Sequence, residues 1–377
     1  MSLFPIYILN WEELRNRNMK RIGIVTIYDS KGNIGNKLQN YAVIKVFNGL
    51  ECKCTTLATE REVSVKQILV STVRSYFDRL ISHKKRFNPY NYERIKHYWM
   101  FNKYLNVDYS LVNGEKVDFD FYSVGSDQVW NPDFYKYDTR RKDFYFLTFA
   151  DDKKKIAFSP SFGISRIPEE WKSWFKCNLK TFHALSVREE AGAQLVFDLI
   201  GQKPEVLVDP TLMLDKEEWE KIAKKPKNID LEVPYVLTYF LGDISEEVRL
   251  KCDEFSNTIN GKCYHLLNPD NSALSNIGPA EFLMLIKNAS LIMTDSFHAC
   301  VFSFIFNKPF IVYSRRGANN RMFSRIETFL STFNLERKYV GSGLDNDAWE
   351  HDYTDGYKQL EIEREKALNF LRKAIEE

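Results

Sequence analysis

Short apolar, β-branched runs alternate with longer stretches of helical periodicity along most of the chain. Residues 21–27 (Arg-Ile-Gly-Ile-Val-Thr-Ile) predict a buried parallel strand. A Gly/Asn-rich turn follows, then a helix over 38–50 and a second strand over 52–57. Residues 63–105 read as mostly helical, broken at Pro89. Further strands are expected at 121–124, 155–159, 184–187 and 205–208. A polar stretch with Pro226 separates these from a second series. There, strands at 235–240, 262–267, 290–294 and 309–313 alternate with helices at 246–260, 279–288, 297–306 and 321–333. A charged helix over 356–377 ends the chain.

This alternation predicts an α/β protein with two Rossmann-like, doubly wound domains facing a cleft. The expected division is an N-terminal domain over 20–215 carrying a helical insertion at 63–105, a linker at 216–232, a C-terminal domain over 233–345, and the C-terminal helix at 355–377. Ligands of such sheets bind beyond the carboxyl ends of the strands, so the segments there are the candidates for chemistry.

Composition narrows the function classes. The 377 residues carry 53 Lys+Arg against 51 Asp+Glu, a net charge of +2 without the basic excess of a nucleic-acid binder. Six cysteines form no Cys-x-x-Cys pair or zinc-ligand spacing, and no secretory signal is evident, so reduced thiols and a cytoplasmic location are expected. No apolar run is long enough to span a membrane.

Five strand-end segments gather polar side chains. After the first strand, the turn ending in Gly35-Asn36 leads into a helix N-terminus suited to an anion or a sugar hydroxyl. At 125–132, Asp127 and Gln128 can meet a sugar hydroxyl and Trp130 can stack on its ring; the plain structural reading is a helix cap and a core Trp. Arg188 directly follows the strand at 184–187 and suits a carboxylate or phosphate, the alternative being a surface pair with Glu189 or Glu190. At 294–299, His298 stands in the first turn of a helix that Asp295 or Ser296 can cap. Arg315, Arg316 and Arg321 near a further helix start make a third cationic candidate.

These segments, in this order, resemble the polysaccharide pyruvyl transferase family. The resemblance rests on Gly-Asn-Ile-Gly-Asn-Lys-Leu-Gln-Asn at 32–40, Gly-Ser-Asp-Gln-Val-Trp-Asn at 125–131 and Ser-Val-Arg-Glu-Glu at 186–190. It continues through Val-Asp-Pro-Thr at 208–211, Thr-Asp-Ser-Phe-His-Ala at 294–299 and Asn-Arg-Met-Phe-Ser-Arg at 320–325. It implies a fold similar to the B-type glycosyltransferases. It further implies transfer of the enolpyruvyl unit of phosphoenolpyruvate to a sugar of a cell-surface polysaccharide or its lipid-linked precursor, giving a pyruvate ketal. Arg188 then matches a contact for the donor, and His298 the general acid. Many members carry Arg two residues before that His; this chain has Ser296. Arg315, Arg316 or Arg321 is expected to compensate.

Asn36, Asp127, Gln128 and Trp130 are thus expected on the acceptor side. Arg188, Ser296, Arg315, Arg316 and Arg321 are expected on the donor side of a locally positive cleft. No cofactor or metal is expected, phosphoenolpyruvate being a substrate. Two other classes stay open at this point: a nucleotide-sugar-dependent glycosyltransferase and a catalytically silent glycan-binding protein. Basic and aromatic residues interleave over 83–103, which suits either peripheral contact with the inner face of the cytoplasmic membrane or a solvated helix with an aromatic core face.

Overall fold

β1 (Arg21–Val25) lies inside a parallel sheet of order β3-β2-β1-β4-β5-β6-β7 in the computed structural model, which describes residues 19–28, 33–82, 87–135, 138–316, 323–344 and 347–376. Its apolar Ile22, Ile24 and Val25 are fully buried, as a strand covered on both faces requires. α1 (Ile34–Gly49) crosses over to β2 (Lys53–Leu57). This helix begins one turn before the expected start at 38, because Asn33 caps it: its side chain accepts a hydrogen bond from the Gly35 N–H at 3.0 Å. Gly35 and Asn36 are therefore first-turn residues rather than loop.

The 63–105 insertion forms α2 (Val65–Ser82) and α3 (Tyr92–Phe101), then returns to the edge strand β3 (Val107–Asp108). β4 (Phe121–Val124), β5 (Lys155–Ala157), β6 (Ala184–Val187) and β7 (Glu205–Val206) extend the other side. Helices α4 (Glu169–Leu179) and α5 (Glu190–Ile200) supply the crossovers there.

The second sheet has the order β11-β10-β8-β9, also parallel. It is built from β8 (Tyr235–Tyr239), α6 (Glu246–Thr258), β9 (Lys262–His265), α7 (Pro279–Asn288), β10 (Leu291–Thr294), α8 (Phe297–Ile305) and β11 (Phe310–Val312). α9 (Ser324–Thr332) follows, and α10 (Thr354–Glu376) returns to the first half, where Arg364 donates to the carbonyls of Leu212 and Leu214.

One apolar cluster joins the halves: Leu38 and Phe47 of α1 share it with Leu285 of α7 and Val301 and Phe302 of α8. The insertion also bridges them, since the buried Arg94 of α3 donates to the carbonyls of Ser275 and Ile277 at 3.1 and 3.2 Å. Two α/β sheets thus face each other across a cleft, the expected fold class.

The cysteines differ from expectation. α6 packs on β9 so that Cys252 and Cys263 have Cα atoms 6.4 Å apart, and the structure joins them as a disulfide. Cys52, Cys54, Cys177 and Cys300 are free. His265 lies beside the disulfide.

Candidate active site

Strand order locates the site. In the first sheet β1 sits between β2 and β4, so the connections leaving β1 and β4 diverge to opposite sides and open a crevice at their carboxyl ends. Asn36 arrives from β1 and Asp127 from β4, and the Asn36 amide donates to Asp127 Oδ2. In the second sheet the same relation holds between β8 and β10: the Leu241 and Gly242 N–H groups after β8 donate to the Asp295 carboxylate after β10, at 2.7 and 2.9 Å. A cleft of about 430 Å³ lies between these crevices. Its walls include Tyr28, Asn36, Asp127 and Gln128 from the first half, and Ser296, His298, Arg315 and Arg325 from the second.

His298 is placed by two helix starts. It occupies the first turn of α8, and its imidazole lies over Gly35 in the first turn of α1. Both helices direct their positive dipole ends toward this region. Burial lowers His298, Asp209 and Asp127 pull it up, and Arg188 and Arg325 push it down; the result is about 4. The ring is neutral at pH 7, and its buried Nε2 has no hydrogen-bond partner.

Arg188 is buried rather than a surface pair with Glu189 or Glu190. Its Nη1 donates to Asp209 Oδ2 and, at 3.1 Å, to Ser126 Oγ, and its Nη2 lies 3.8 Å from Asp127. Burial works against its charge, but Asp209, Asp127 and Glu189 outweigh it and raise the guanidinium above its ordinary value. Asp209 is itself pushed up by burial, yet Arg188, His298 and Thr211 hold it well below the usual carboxylate range. Glu189 acts on the guanidinium through its charge. Its Oε1 accepts from Ser161 Oγ and the Phe162 and Gly163 N–H groups, fixing the loop after β5.

Asp127 has φ +66°, a left-handed conformation that Asp tolerates better than most residues. Its backbone is held by the Ser161 N–H, which donates to its carbonyl at 2.7 Å. Gln128 is buried, lines the cleft and accepts from Asn131 at 3.2 Å. The segment after β4 is a turn, so neither Ser126 nor Asp127 caps a helix.

Trp130 does not stack on a ligand. It is fully buried, parallel to Phe146 at 5.6 Å, packed against Phe162 and Phe182, and donates Nε1–H to the Tyr145 carbonyl at 3.1 Å. The aromatic surroundings outcompete the cleft for its large apolar area. The acceptor-side expectation for Trp130 is therefore corrected to a core role.

The cationic expectations divide. Arg315 reaches the cleft but is tied to Asp295, through Nε–Oδ2 at 3.2 Å and a bond to the Asp295 carbonyl at 3.0 Å. Arg316 is exposed and does not line the cleft. Arg321 lies outside the described residues. Ser296 is buried in the cleft wall, with its N–H bound to Thr294 Oγ1 at 3.0 Å. Asp295 and Ser296 leave the α8 N-terminus without a side-chain cap. The cleft is not locally positive: Glu60, Asp127 and Asp133 line it alongside Arg141, Arg315 and Arg325.

Arg325 is the functional candidate that the strand-end rule passes over. It sits on α9 and turns into the cleft, with Nη1 3.8 Å from Asp127 and a buried Nε without a partner. Burial and the nearby Arg188 lower it to about 10, so it stays charged at pH 7. Arg188 and Arg325 share the ring of Phe297, their guanidinium carbons 5.0 and 5.8 Å from its centroid. The signal available was the last residue of the 320–325 motif.

Chemically, the site offers two buried guanidiniums with unbonded N–H groups, an imidazole with a free nitrogen, and a carboxylate–amide pair. That set can hold an anion and move a proton beside it.

The chain is similar to several solved structures. One is the UDP-GlcNAc 2-epimerase of Methanocaldococcus jannaschii in complex with UDP-GlcNAc and UDP (16% identity, 92% of this chain and 99% of that one, TM-score 0.42). Another is the UDP-GlcNAc 2-epimerase of Neisseria meningitidis bound to UDP-GlcNAc (12%, 94% and 100%, TM-score 0.41). A third is the spinosyn forosaminyltransferase SpnP (9%, 96% and 100%, TM-score 0.41). No curated protein matches the chain. The family description "Polysaccharide pyruvyl transferase" matches residues 33–317, which run from the cap of α1 past Arg315 and enclose His298, Arg188 and Asp127. The chain belongs to the polysaccharide pyruvyl transferase family and is a transferase.

Proposed function

We propose that the protein transfers the pyruvyl unit of phosphoenolpyruvate to a saccharide, closing a pyruvate ketal and releasing phosphate. The observation that carries this reading is the unpartnered, buried His298 Nε2 in the cleft that Arg325 and Asp127 also line, with Arg188 behind that wall, 3.8 Å from Asp127 and with N–H groups left unbonded. A small ligand with both a carboxylate and a phosphate would use the two guanidiniums and bring a proton acceptor to the imidazole. In this reading Arg325 does the work expected of Arg315, Arg316 or Arg321 opposite Ser296.

His298, neutral in the unliganded protein, takes up a proton when the dianion arrives, since an opposite charge favours imidazolium. It passes that proton to the methylene carbon, making C3 a methyl group and C2 electrophilic. One sugar hydroxyl forms a C–O bond to C2. A second hydroxyl then replaces phosphate at C2, completing the ketal. Of the two hydroxyl protons released, one restores His298 and the other leaves with phosphate. Arg188 and Arg325 stabilise the charge on the departing phosphate. Asp127, held by Asn36, orients or deprotonates the acceptor hydroxyl, with Gln128 beside it. No cofactor enters this sequence of steps.

The test is phosphate release from phosphoenolpyruvate in the presence of candidate saccharides, with a product mass consistent with a ketal. Release that is lost in His298→Gln supports the reading. Thermal stabilisation by a nucleotide sugar and not by phosphoenolpyruvate overturns it in favour of glycosyl transfer.

A further inference from the structure

α2 is amphipathic in the wrong direction for a helix that packs only on its own protein. Val65, Leu69, Val73, Tyr76 and Leu80 recur every three or four residues along one side, and all are more than half exposed. Phe77 and Val70 widen the same stripe, also more than half exposed. Among the described side chains, the side turned to the protein is largely polar: Ser71 bonds Asn88 at 2.8 Å, and Ile68 is the buried apolar contact, against Val63 and Ile95. The helix thus spends its hydrophobic face on the outside, over a length of about 27 Å for 18 residues.

Charge selects the occupant. Lys66 and Arg74 of α2 are exposed, and the sequence over 65–86 carries six Lys and Arg against one Asp. A second copy of the chain on the same face would set like charges together, whereas an anionic lipid surface complements both the apolar stripe and the cations. No helix among the described residues is long and apolar enough to cross a membrane, so the contact would be peripheral.

We propose that α2 is a membrane-docking helix, lying in the headgroup region of an anionic bilayer. It begins five residues after Glu60, which lines the cleft, and Glu62 between them accepts from Tyr109 and Asn102 around the cleft residue Tyr28. Docking through α2 therefore holds the N-terminal wall of the cleft near the bilayer. Such docking depends on the surface of α2 alone, whether or not the proposed reaction takes place in the cleft.

The experiment is flotation of the full chain with vesicles of phosphatidylcholine, with and without phosphatidylglycerol. The expected result is binding to the anionic vesicles only, weakened by salt. Lys66→Glu/Arg74→Glu should reduce the bound fraction roughly tenfold or more, and Leu69→Glu/Phe77→Glu should abolish it. Melting temperature, and phosphate release on a soluble acceptor, should be kept by both variants, which separates loss of docking from loss of fold or chemistry. The proposal is overturned if neither vesicle binds the wild type, or if the variants bind as well as it does. It is equally overturned if sedimentation shows a lipid-independent dimer that Leu69→Glu/Phe77→Glu dissolves.

Discussion

The imidazole of His298 rests on the bare backbone of Gly35, so close that a Cβ at position 35 would overlap Nδ1, Cε1 and Cγ of the ring. Two helices from different halves of the chain thereby meet at their first turns, and the absence of a side chain on one sets the place of the ring on the other. Gly35 is helical, so its value here is space and not an unusual backbone angle.

Gly35→Ala is therefore expected to displace His298 while leaving the helix intact, since Ala favours helix by roughly 0.5–1 kcal/mol over Gly. Turnover, read as phosphate release, should fall by about 10²-fold, the range of a misplaced acid–base group. Far-UV circular dichroism should be unchanged. Full activity in this variant would show that the ring position does not matter.

Acid should expose the burial of His298. Its folded value of about 4 lies below the roughly 6.5 of an unfolded His. Between these values the unfolded chain binds the extra proton, so stability falls as pH drops through that window, by up to about 3 kcal/mol. Above pH 6.5 the residue is neutral in both states and contributes no slope. Urea denaturation across pH 4–7 should show the decline, and His298→Gln should flatten it.

Asp209 and Arg188 form a buried pair whose members cannot be removed singly without cost. Asp209→Asn is expected to destabilise the protein by about 3–5 kcal/mol, because Arg188 is left buried with reduced compensation. Adding Arg188→Met should recover part of that loss in denaturant midpoint, though not activity.

Arg325 and Arg316 give opposite expectations. Arg325→Gln should weaken protection by phosphate or phosphoenolpyruvate in a thermal-shift titration by about tenfold or more, the scale of one charge-assisted contact. Arg316→Gln, altering an exposed side chain outside the cleft, should leave the titration unchanged.

Trp130→Ala should cost about 3–5 kcal/mol of stability, as large buried aromatics do. The KM for a saccharide acceptor, measured below the lowered melting point, should stay within experimental error. A selective rise in KM would return Trp130 to the acceptor site.

Much of the architecture is legible in one dimension. The buried runs at 22–25 and 291–294 are continuous because both sheet faces are covered, and that pattern survives in the order of residues. Motif order leads to Arg188 and His298 because β–α turns carry ligands at strand ends. Trp130 is misread for the same reason: a strand-end position says nothing about which way the indole turns, and Phe146, Phe162 and Phe182 come from other segments. Asp209 and Glu189 are visible only as motif letters, since Arg188 and Ser161, which pair with them, lie 21 and 28 residues away.

Local pattern alone determined that strands and helices alternate, where the halves divide in polarity, and which family the motifs resemble. Hydrophobic period and turn chemistry are properties of neighbouring residues. Tertiary structure decided that Asn36 meets Asp127, that His298 is neutral above Gly35, that Arg325 rather than Arg316 faces the cleft, and that α2 turns its apolar side outward. Those outcomes depend on strand order and on which faces the two sheets bury against each other, and such long-range contacts are not encoded in any single segment.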